Sequence, residues 1–84
     1  MSDDELLKGL ARGDPRAFVE FEKRYKEIVF FQVKKDLYFN TEDTGNEIYQ
    51  EVLIAIWKKA HANDEIKNLP GYIYQICKNK IRDR

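Results

Sequence analysis

Residues 13–37 read GDPRAFVEFEKRYKEIVFFQVKKDL, and this stretch decides the fold class. Asp14 supplies a side-chain acceptor at a helix N-cap, and Pro15 suits the first helical position, where no N–H group is needed. From there apolar residues recur at intervals of three and four, which predicts one long helix that continues to about Leu37. Charged residues such as Glu22 and Lys26 occupy its solvent face. The predicted inward positions are Phe18, Phe21, Tyr25, Ile28, Val29, Gln32 and Val33.

A short helix is predicted to precede this stretch. Ser2 and Glu5 have the spacing of a capping box, in which each side chain accepts a hydrogen bond from the backbone of the other residue. Gly13 is predicted to end the helix, because glycine adopts the left-handed conformation that closes a helix C-terminus. The inward positions of this helix are Leu6, Leu7 and Leu10.

A third helix is predicted after a connection over Tyr38–Asp43. Thr44 and Glu47 have the spacing of a second capping box, which would place the start of this helix at Thr44. Its apolar residues again follow helical spacing and predict one buried face. The residues on that face are Ile48, Val52, Leu53, Ile56 and Trp57.

A fourth helix completes the predicted fold. His61–Lys67 breaks the helical pattern and is expected to form a loop, after which Asn68 caps the helix and Pro70 lies in its first turn. No segment alternates apolar and polar residues over the length of a strand. The sequence therefore predicts a compact all-α bundle of about four helices, one domain over residues 1–84. The inward positions of the fourth helix are Leu69, Ile73, Ile76 and Cys77.

Composition excludes several classes of function. At 84 residues the chain has room for one domain, and it has no apolar run of the ~18 residues that a membrane span needs. One Cys and one His exclude a disulfide within the chain and a Cys-rich zinc site, and no glycine-rich phosphate loop is present. We therefore expect that the chain is not an enzyme and binds no cofactor or metal. His61 is expected to be solvated, and Cys77 is expected to be buried as a small apolar side chain. The expected compartment is the reducing cytoplasm.

Charge is unevenly distributed along the chain, although 15 basic and 15 acidic residues cancel. Residues 1–42 have a net charge of −1, residues 43–66 a net charge of −3, and residues 67–84 a net charge of +4. Local potential matters more to binding than the total does. This arrangement suits two partners of opposite sign, a basic protein surface and a nucleic acid.

Two stretches together resemble region 2 of bacterial RNA polymerase sigma factors, of the extracytoplasmic-function group. The first, residues 44–57, reads TGNEIYQEVLIAIW and matches the family at Glu47, Gln50, Glu51 and Trp57. The second, residues 69–84, reads LPGYIYQICKNKIRDR. The second stretch matches the family at Tyr72, Tyr74, Ile76, Cys77, Lys78, Asn79, Asp83 and Arg84.

The resemblance covers essentially the whole chain, because residues 4–7 and 13–18 also resemble the start of the family. The chain departs from the pattern in four places. Thr44 and Asn46 stand where acids are usual, Gln75 replaces a common Arg, and Pro70-Gly71 in the first turn of the last helix is less usual. The family's region 4, which reads the −35 element, has no counterpart in this chain. We expect one module of a longer factor or a short family member.

The resemblance implies two binding surfaces. The helix with the acidic–Gln–acidic motif would dock on the β′ clamp coiled coil of core RNA polymerase. The loop at about Ala60–Leu69 and the last helix would recognise and melt the −10 promoter element on the non-template strand, with a base flipped into a pocket formed by the loop and the start of the last helix. The implied polymerase-binding residues are Asn46, Glu47, Gln50, Glu51, Leu53 and Ile54.

The implied DNA-binding residues differ in their expected roles. Loop residues would contact base edges, tyrosines would stack on bases, with Tyr72 equally suited to the core, and basic residues would hold phosphates. Lys80 and Arg84 are four residues apart and would share a helix face. These residues are Asn63, Asp64, Asn68, Tyr72, Tyr74, Lys78, Asn79, Lys80, Arg82 and Arg84.

Two alternatives stay open. One is a helical protein–protein interaction module, held by an anti-sigma-like partner or in an oligomer. The other is a helix-turn-helix protein that binds duplex DNA, although the chain lacks the short glycine-containing turn between two compact helices that this class uses.

Overall fold

The computed structural model describes residues 1–36 and 42–83, with side chains of the second range described from Asp43 onward. Within these ranges the chain forms four helices and no strand. The predicted all-α bundle of about four helices is therefore confirmed. The helices are α1 (Asp3–Arg12), α2 (Pro15–Asp36), α3 (Glu42–His61) and α4 (Leu69–Arg82).

Both predicted signals around α1 are present. The Ser2 hydroxyl accepts a hydrogen bond from the Glu5 N–H at 3.2 Å, and the Glu5 carboxylate accepts one from the Ser2 N–H at 3.3 Å. Gly13 adopts the left-handed conformation at φ 73° and ends the helix. The capping box and the glycine stop are confirmed, and hydrogen bonds from the Ser2 backbone and side chain lower the pKa of the Glu5 carboxyl.

The connection from α1 to α2 is short because Gly13 and Asp14 serve both helices. Their N–H groups donate to the carbonyls of Leu10 at 3.0 Å and Gly9 at 2.9 Å, which is the Schellman arrangement of a helix C-terminus. The Asp14 carboxylate then accepts from the Arg16 N–H at 3.0 Å and caps α2. One aspartate thus ends one helix and begins the next.

Helix α1 covers the N-terminal half of α2. A Cβ atom placed on Gly9 would lie 2.7 Å from the Cβ of Ala17, so the two helices approach as closely as backbone permits. At the other end of α1, the Tyr25 hydroxyl donates to the Asp3 carboxylate at 3.4 Å, and the Arg24 guanidinium lies 3.3 Å from the same carboxylate.

The core forms where all four helices meet. Phe21 lies at its centre, with its ring 5.1 Å from Tyr25 and 6.1 Å from Tyr49 between centroids. Helix α3 approaches α2 at Gly45, where an added Cβ would lie 3.0 Å from the Phe30 ring. The buried apolar residues are Leu6, Leu10, Ala17, Phe21, Tyr25, Val29, Val33, Ile48, Tyr49, Val52, Ile56, Leu69, Ile73, Ile76, Cys77 and Ile81.

The start of α3 differs from the prediction, and the predicted end of α2 is not tested. Helix α3 begins at Glu42, so the capping box at Thr44 and Glu47 is wrong, and Thr44 lies within the helix. Asp43 suits the first turn because a carboxylate is favoured at the positive end of the helix dipole. The predicted end of α2 at about Leu37 and most of the predicted connection lie outside the described residues.

Ile28 is the one predicted inward position of α2 that is exposed, with 49% of its surface accessible. The reason lies in how α2 is covered. The N-terminus of α1 reaches Arg24 and Tyr25, and Lys78 of α4 pairs with Asp36 at the C-terminal end of α2. Along α2, Ile28 lies between the contact with α1 and the contact with α4.

Candidate functional site

The outer face of α3 carries the implied polymerase-binding residues. Asn46, Glu47 and Gln50 are exposed, and Glu51 is half-buried. Asn46, Gln50 and Ile54 are spaced by four residues and therefore lie in one row along the helix. The polar end of this row is near the start of α3, and the apolar end is one to two turns further on.

The apolar end of this face forms a shallow depression. Leu53, Ile54 and Trp57 line it from α3, and Phe18 lines it from α2. Ile54 exposes 50% of its surface, whereas Leu53 and Trp57 are half-buried against the core. Sequence reasoning placed Phe18 in the core and missed its contribution here. The depression therefore presents an apolar surface to solvent.

His61 closes the same end of α3. Its ring stacks on Trp57, with centroids 5.0 Å apart and an angle of 14° between the planes. The ring is otherwise exposed to solvent, in keeping with the expectation of a solvated histidine at a helix end. The stack covers one face of the Trp57 ring, and the same side chain lines the depression.

The connection from α3 to α4 opens with a second Schellman arrangement. The Asn63 N–H donates to the Ala60 carbonyl and the Asp64 N–H donates to the Lys59 carbonyl, each at 3.0 Å. Asn63 takes the left-handed conformation at φ 62°, which asparagine tolerates better than most residues. The predicted loop is therefore present after α3, and the side chains of Asn63 and Asp64 are exposed.

Asn68 caps α4 as predicted. Its side-chain oxygen accepts a hydrogen bond from the Gly71 N–H at 3.1 Å. Pro70 follows in the first turn, where its missing N–H has no helical partner to lose. Since the cap engages the Asn68 oxygen, its amide N–H₂ group is the part left to contact a ligand.

A groove of about 760 Å³ separates this connection from α1. The expectation was a pocket formed by the loop and the start of the last helix. The structure places α1 on the second wall instead, because α1 packs against α3 where the connection begins. Both signs of charge occur in the groove. Its lining residues are Asp3, Asp4, Leu7, Lys8, Ala11, Arg12, Ala60, Asn63, Asp64, Glu65, Ile66 and Lys67.

The two tyrosines of α4 lie on different flanks of the helix. Tyr72 is half-buried against the core and faces α3, where the Lys59 ammonium lies 5.1 Å from its ring centroid. Tyr74 exposes 48% of its surface. The Lys78 ammonium lies 6.0 Å from the Tyr74 ring centroid. Tyr74 thus presents an open ring face, and Tyr72 presents much less of one.

Lys78 connects α4 to the end of α2. Its ammonium lies 2.9 Å from the Asp36 carboxylate, which also accepts from the Gln32 amide at 2.9 Å. The hydrogen bonds from Gln32 and Lys78 lower the pKa of Asp36, and the bond to Asp36 raises the pKa of Lys78. Asp36 therefore neutralises part of the charge of Lys78, a partnership that the sequence did not predict.

The remaining basic residues of α4 point in different directions. Arg82 is exposed and donates to the side-chain oxygen of Asn79 at 3.0 Å. Lys80 is half-buried on the inward side of the helix. Arg84 lies outside the described residues, so the row that Lys80 and Arg84 were expected to share stays a prediction.

Cys77 is buried at 1% exposure, as its inward position predicts. Burial raises the pKa of its thiol to about 11. Because the thiolate is the reactive form, this cysteine is protonated and shielded at neutral pH. Burial similarly raises the pKa of the Tyr49 hydroxyl to about 12.

Comparisons with known proteins found no relative of this chain. No protein-family model, curated protein or solved structure matches the chain. None of the four described helices is long and apolar enough to cross a membrane. Within residues 1–36 and 42–83, no group of three or more His, Cys, Asp or Glu side chains is placed to hold a metal ion.

Proposed function

We propose that this chain is a transcription initiation factor domain similar to region 2 of extracytoplasmic-function sigma factors. It docks on the β′ clamp of core RNA polymerase and binds the non-template strand of the −10 element in the cytoplasm, and it catalyses no reaction itself. The observation that supports the proposal most is the division of the exposed surface. Asn46, Glu47 and Gln50 are exposed on α3, and Lys78 and Arg82 are exposed on α4, so both partners can bind at once.

The docking surface is the outer face of α3. Its polar half carries Glu47 and Glu51, and its apolar half is the depression beside Trp57. A basic, exposed coiled coil complements both halves, with its cations on the carboxylates and one apolar side chain in the depression. Charge complementarity of this kind steers association and fixes register more than it adds affinity.

The strand-binding surface begins at the groove between α1 and the connection. Asn63 and Asp64 on its rim offer donors and acceptors to a base edge. Extruding one base costs a few kcal/mol, which hydrogen bonds to its edge and stacking recover. From the groove the strand would run along α4, where Tyr74 offers a ring and Lys78 and Arg82 offer cations.

Strand preference tests the DNA half of the proposal. Fluorescence anisotropy compares a labelled non-template strand with the matching duplex over a series of salt concentrations. We expect tighter binding to the single strand and an affinity that falls as salt rises, because phosphate contacts release counterions. Tighter binding to the duplex would instead support the helix-turn-helix alternative and overturn strand recognition.

Charge reversal tests the polymerase half. Titration of a β′ clamp fragment with the Glu51→Lys variant should show affinity reduced by about tenfold, because like charges then face each other. Glu27→Lys is the matched control, since Glu27 is an exposed carboxylate on α2 away from the α3 face. Equal affinity of the two variants would show that the outer face of α3 is not the docking surface.

A protein-interaction module without DNA binding is the second candidate. The observation that favours it is the apolar depression on α3, which suits any partner with an apolar side chain on a helix. This candidate predicts binding to a helical protein partner together with no measurable affinity for single-stranded DNA at low salt. The two titrations described above therefore separate it from the sigma-like function.

A further inference from the structure

Phe31 exposes 68% of its surface, the largest fraction among the large apolar side chains described. It lies on the outer side of α2, where helical spacing predicts polar residues. Its neighbours one turn towards the C-terminus are Lys34 and Lys35, both exposed, and Ile28 lies one turn towards the N-terminus. An aromatic ring held out beside two lysines is a feature that packing within the bundle does not explain.

Contacts between α2 and α4 place Tyr74 beside this part of α2. Gln32 and Asp36 lie in the same row of α2 as Ile28, at intervals of four residues. The Lys78 ammonium reaches Asp36 at 2.9 Å and lies 6.0 Å from the Tyr74 ring. Tyr74 therefore lies on the flank of α4 that borders the C-terminal half of α2, the half of the helix on which Ile28 and Phe31 are exposed.

The charges around these rings favour a polyanion. The last turn of α2 is basic at Lys34 and Lys35, and Arg82 is exposed in the last turn of α4. The Asp36 carboxylate is paired with Lys78. Glu27, one turn before Phe31, is the acid that bounds the surface towards the N-terminus. Rings on which bases stack, set among cations that track phosphates, are the common design of surfaces that bind single strands.

We propose that Phe31 and Tyr74 form a stacking platform that carries single-stranded DNA from α4 onto the C-terminal half of α2. Lys34 and Lys35 contact its phosphates there. The inference rests on the proposed function, and it extends the strand-binding surface to a helix to which neither the sequence nor the resemblance assigned a DNA contact. The α2–α4 platform is defined by Ile28, Phe31, Lys34, Lys35 and Tyr74.

The test measures anisotropy of a labelled single strand with Phe31→Ala and with Val19→Ala. Val19 is the matched control, because it is also on α2 and 63% exposed but lies about 18 Å before Phe31 along the helix. Loss of one stacked base should weaken binding roughly 5- to 160-fold in Phe31→Ala. Val19→Ala should bind as the unmodified chain does, and circular dichroism checks that both variants stay folded.

Two further readouts identify the contact as stacking. Phe31→Ala should leave the slope of log affinity against log salt unchanged, whereas Lys34→Gln should reduce its magnitude by about 0.7. An abasic site moved along the strand should remove the effect of Phe31→Ala at one position, because no base is then left to stack. Phe31→Tyr should restore most of the affinity.

The outcomes separate the platform from the proposed function. If the unmodified chain binds single strands and Phe31→Ala equals Val19→Ala, the platform is wrong and strand recognition through α4 stands. If the unmodified chain binds no single strand, strand recognition and the platform fall together. A variant Phe31→Ala that alters self-association in sedimentation but keeps its DNA affinity assigns the ring to a contact between copies and overturns the platform.

Discussion

Helices α1 and α3 end with the same pair of backbone hydrogen bonds, one at a glycine and the other at an asparagine. At Gly13 the next helix starts at once, because Asp14 closes α1 and caps α2. At Asn63 the chain continues through exposed residues to the cap at Asn68. At the first junction the Asp14 side chain stabilises the fold, whereas at the second junction polar side chains remain exposed on the rim of a groove.

This difference suggests how one small bundle separates stability from binding. The α1–α2 junction tolerates little change, since Gly9 and Ala17 are in close contact immediately beside it. At the α3–α4 junction, the hydrogen bonds that end α3 and begin α4 use the backbone N–H of Asn63 and the side-chain oxygen of Asn68. We therefore expect substitutions at the first junction to change stability, and those at the second to change ligand binding at modest structural cost.

The largest effect is expected for Gly9→Val, which adds three carbon atoms where even a Cβ would lie 2.7 Å from Ala17. Helices α1 and α2 must separate, and overpacking of this kind costs roughly 3 kcal/mol. Urea unfolding followed by circular dichroism measures the change. Lys8→Val, on the exposed side of α1, is the control and should change the free energy of unfolding by less than about 0.5 kcal/mol. Equal effects of the two variants would contradict close packing at this junction.

Gly13→Ala should have the next largest effect, a loss of roughly 1–2 kcal/mol. No atom lies within 4 Å of an added Cβ, so the cost comes from the left-handed backbone at φ 73° and not from a clash. The measurement is again the free energy of unfolding in urea. A variant as stable as the unmodified chain would mean that α1 ends in another conformation.

The contrast between the two junctions also marks what the sequence makes predictable. Gly13 and the Asp14-Pro15 pair are strong local signals, and both were predicted correctly. Asn63 gave no such signal, because asparagine is common in loops and only backbone geometry shows that it closes α3. Thr44 misled for the opposite reason: its spacing from Glu47 matches a capping box, yet the helix begins at Glu42.

Contacts between residues far apart in the chain account for most of what periodicity missed. The pairing of Lys78 with Asp36 and the α1 wall of the groove depend on how the helices are arranged. The exposure of Ile28 has the same origin, since it depends on where α1 and α4 meet α2. Helical spacing identifies an apolar face and does not show which part of it a neighbour covers.

The third-largest effect on stability is expected at the second junction, between α3 and α4. Asn68→Ala removes the side-chain oxygen that accepts from the Gly71 N–H, and loss of an N-cap costs about 1 kcal/mol. Thermal unfolding should show a lower midpoint for this variant than for Gln75→Ala, an exposed position later in α4. If both variants unfold at the same temperature, the cap contributes nothing measurable and Asn68 is free to serve a ligand alone.

The two caps should also differ in their dependence on pH. Hydrogen bonds from the Arg16 side chain and backbone lower the pKa of Asp14, so its stabilising effect is present above its unfolded pKa of about 3.9 and is lost as pH falls through the folded value. Asn68 does not titrate. Acid titration of stability should therefore show the advantage of Asp14 over Asp14→Asn shrinking below about pH 4. The cost of Asn68→Ala should stay level over the same range, and a parallel decline would remove the distinction between the caps.

The smallest change in stability is expected for Asn63→Gly, within about 0.5 kcal/mol of zero, because glycine adopts the left-handed conformation at least as readily as asparagine. This variant is informative because its affinity for a single strand is measured together with its stability. If the Asn63 side chain contacts a base, Asn63→Gly should weaken binding to a single strand while urea unfolding stays nearly unchanged. Asn63→Ala should lose about 1 kcal/mol of stability as well, since alanine disfavours φ 62°. Unchanged affinity in both variants would restrict Asn63 to closing α3, and base recognition in the groove would then depend on Asp64 and the residues of α1.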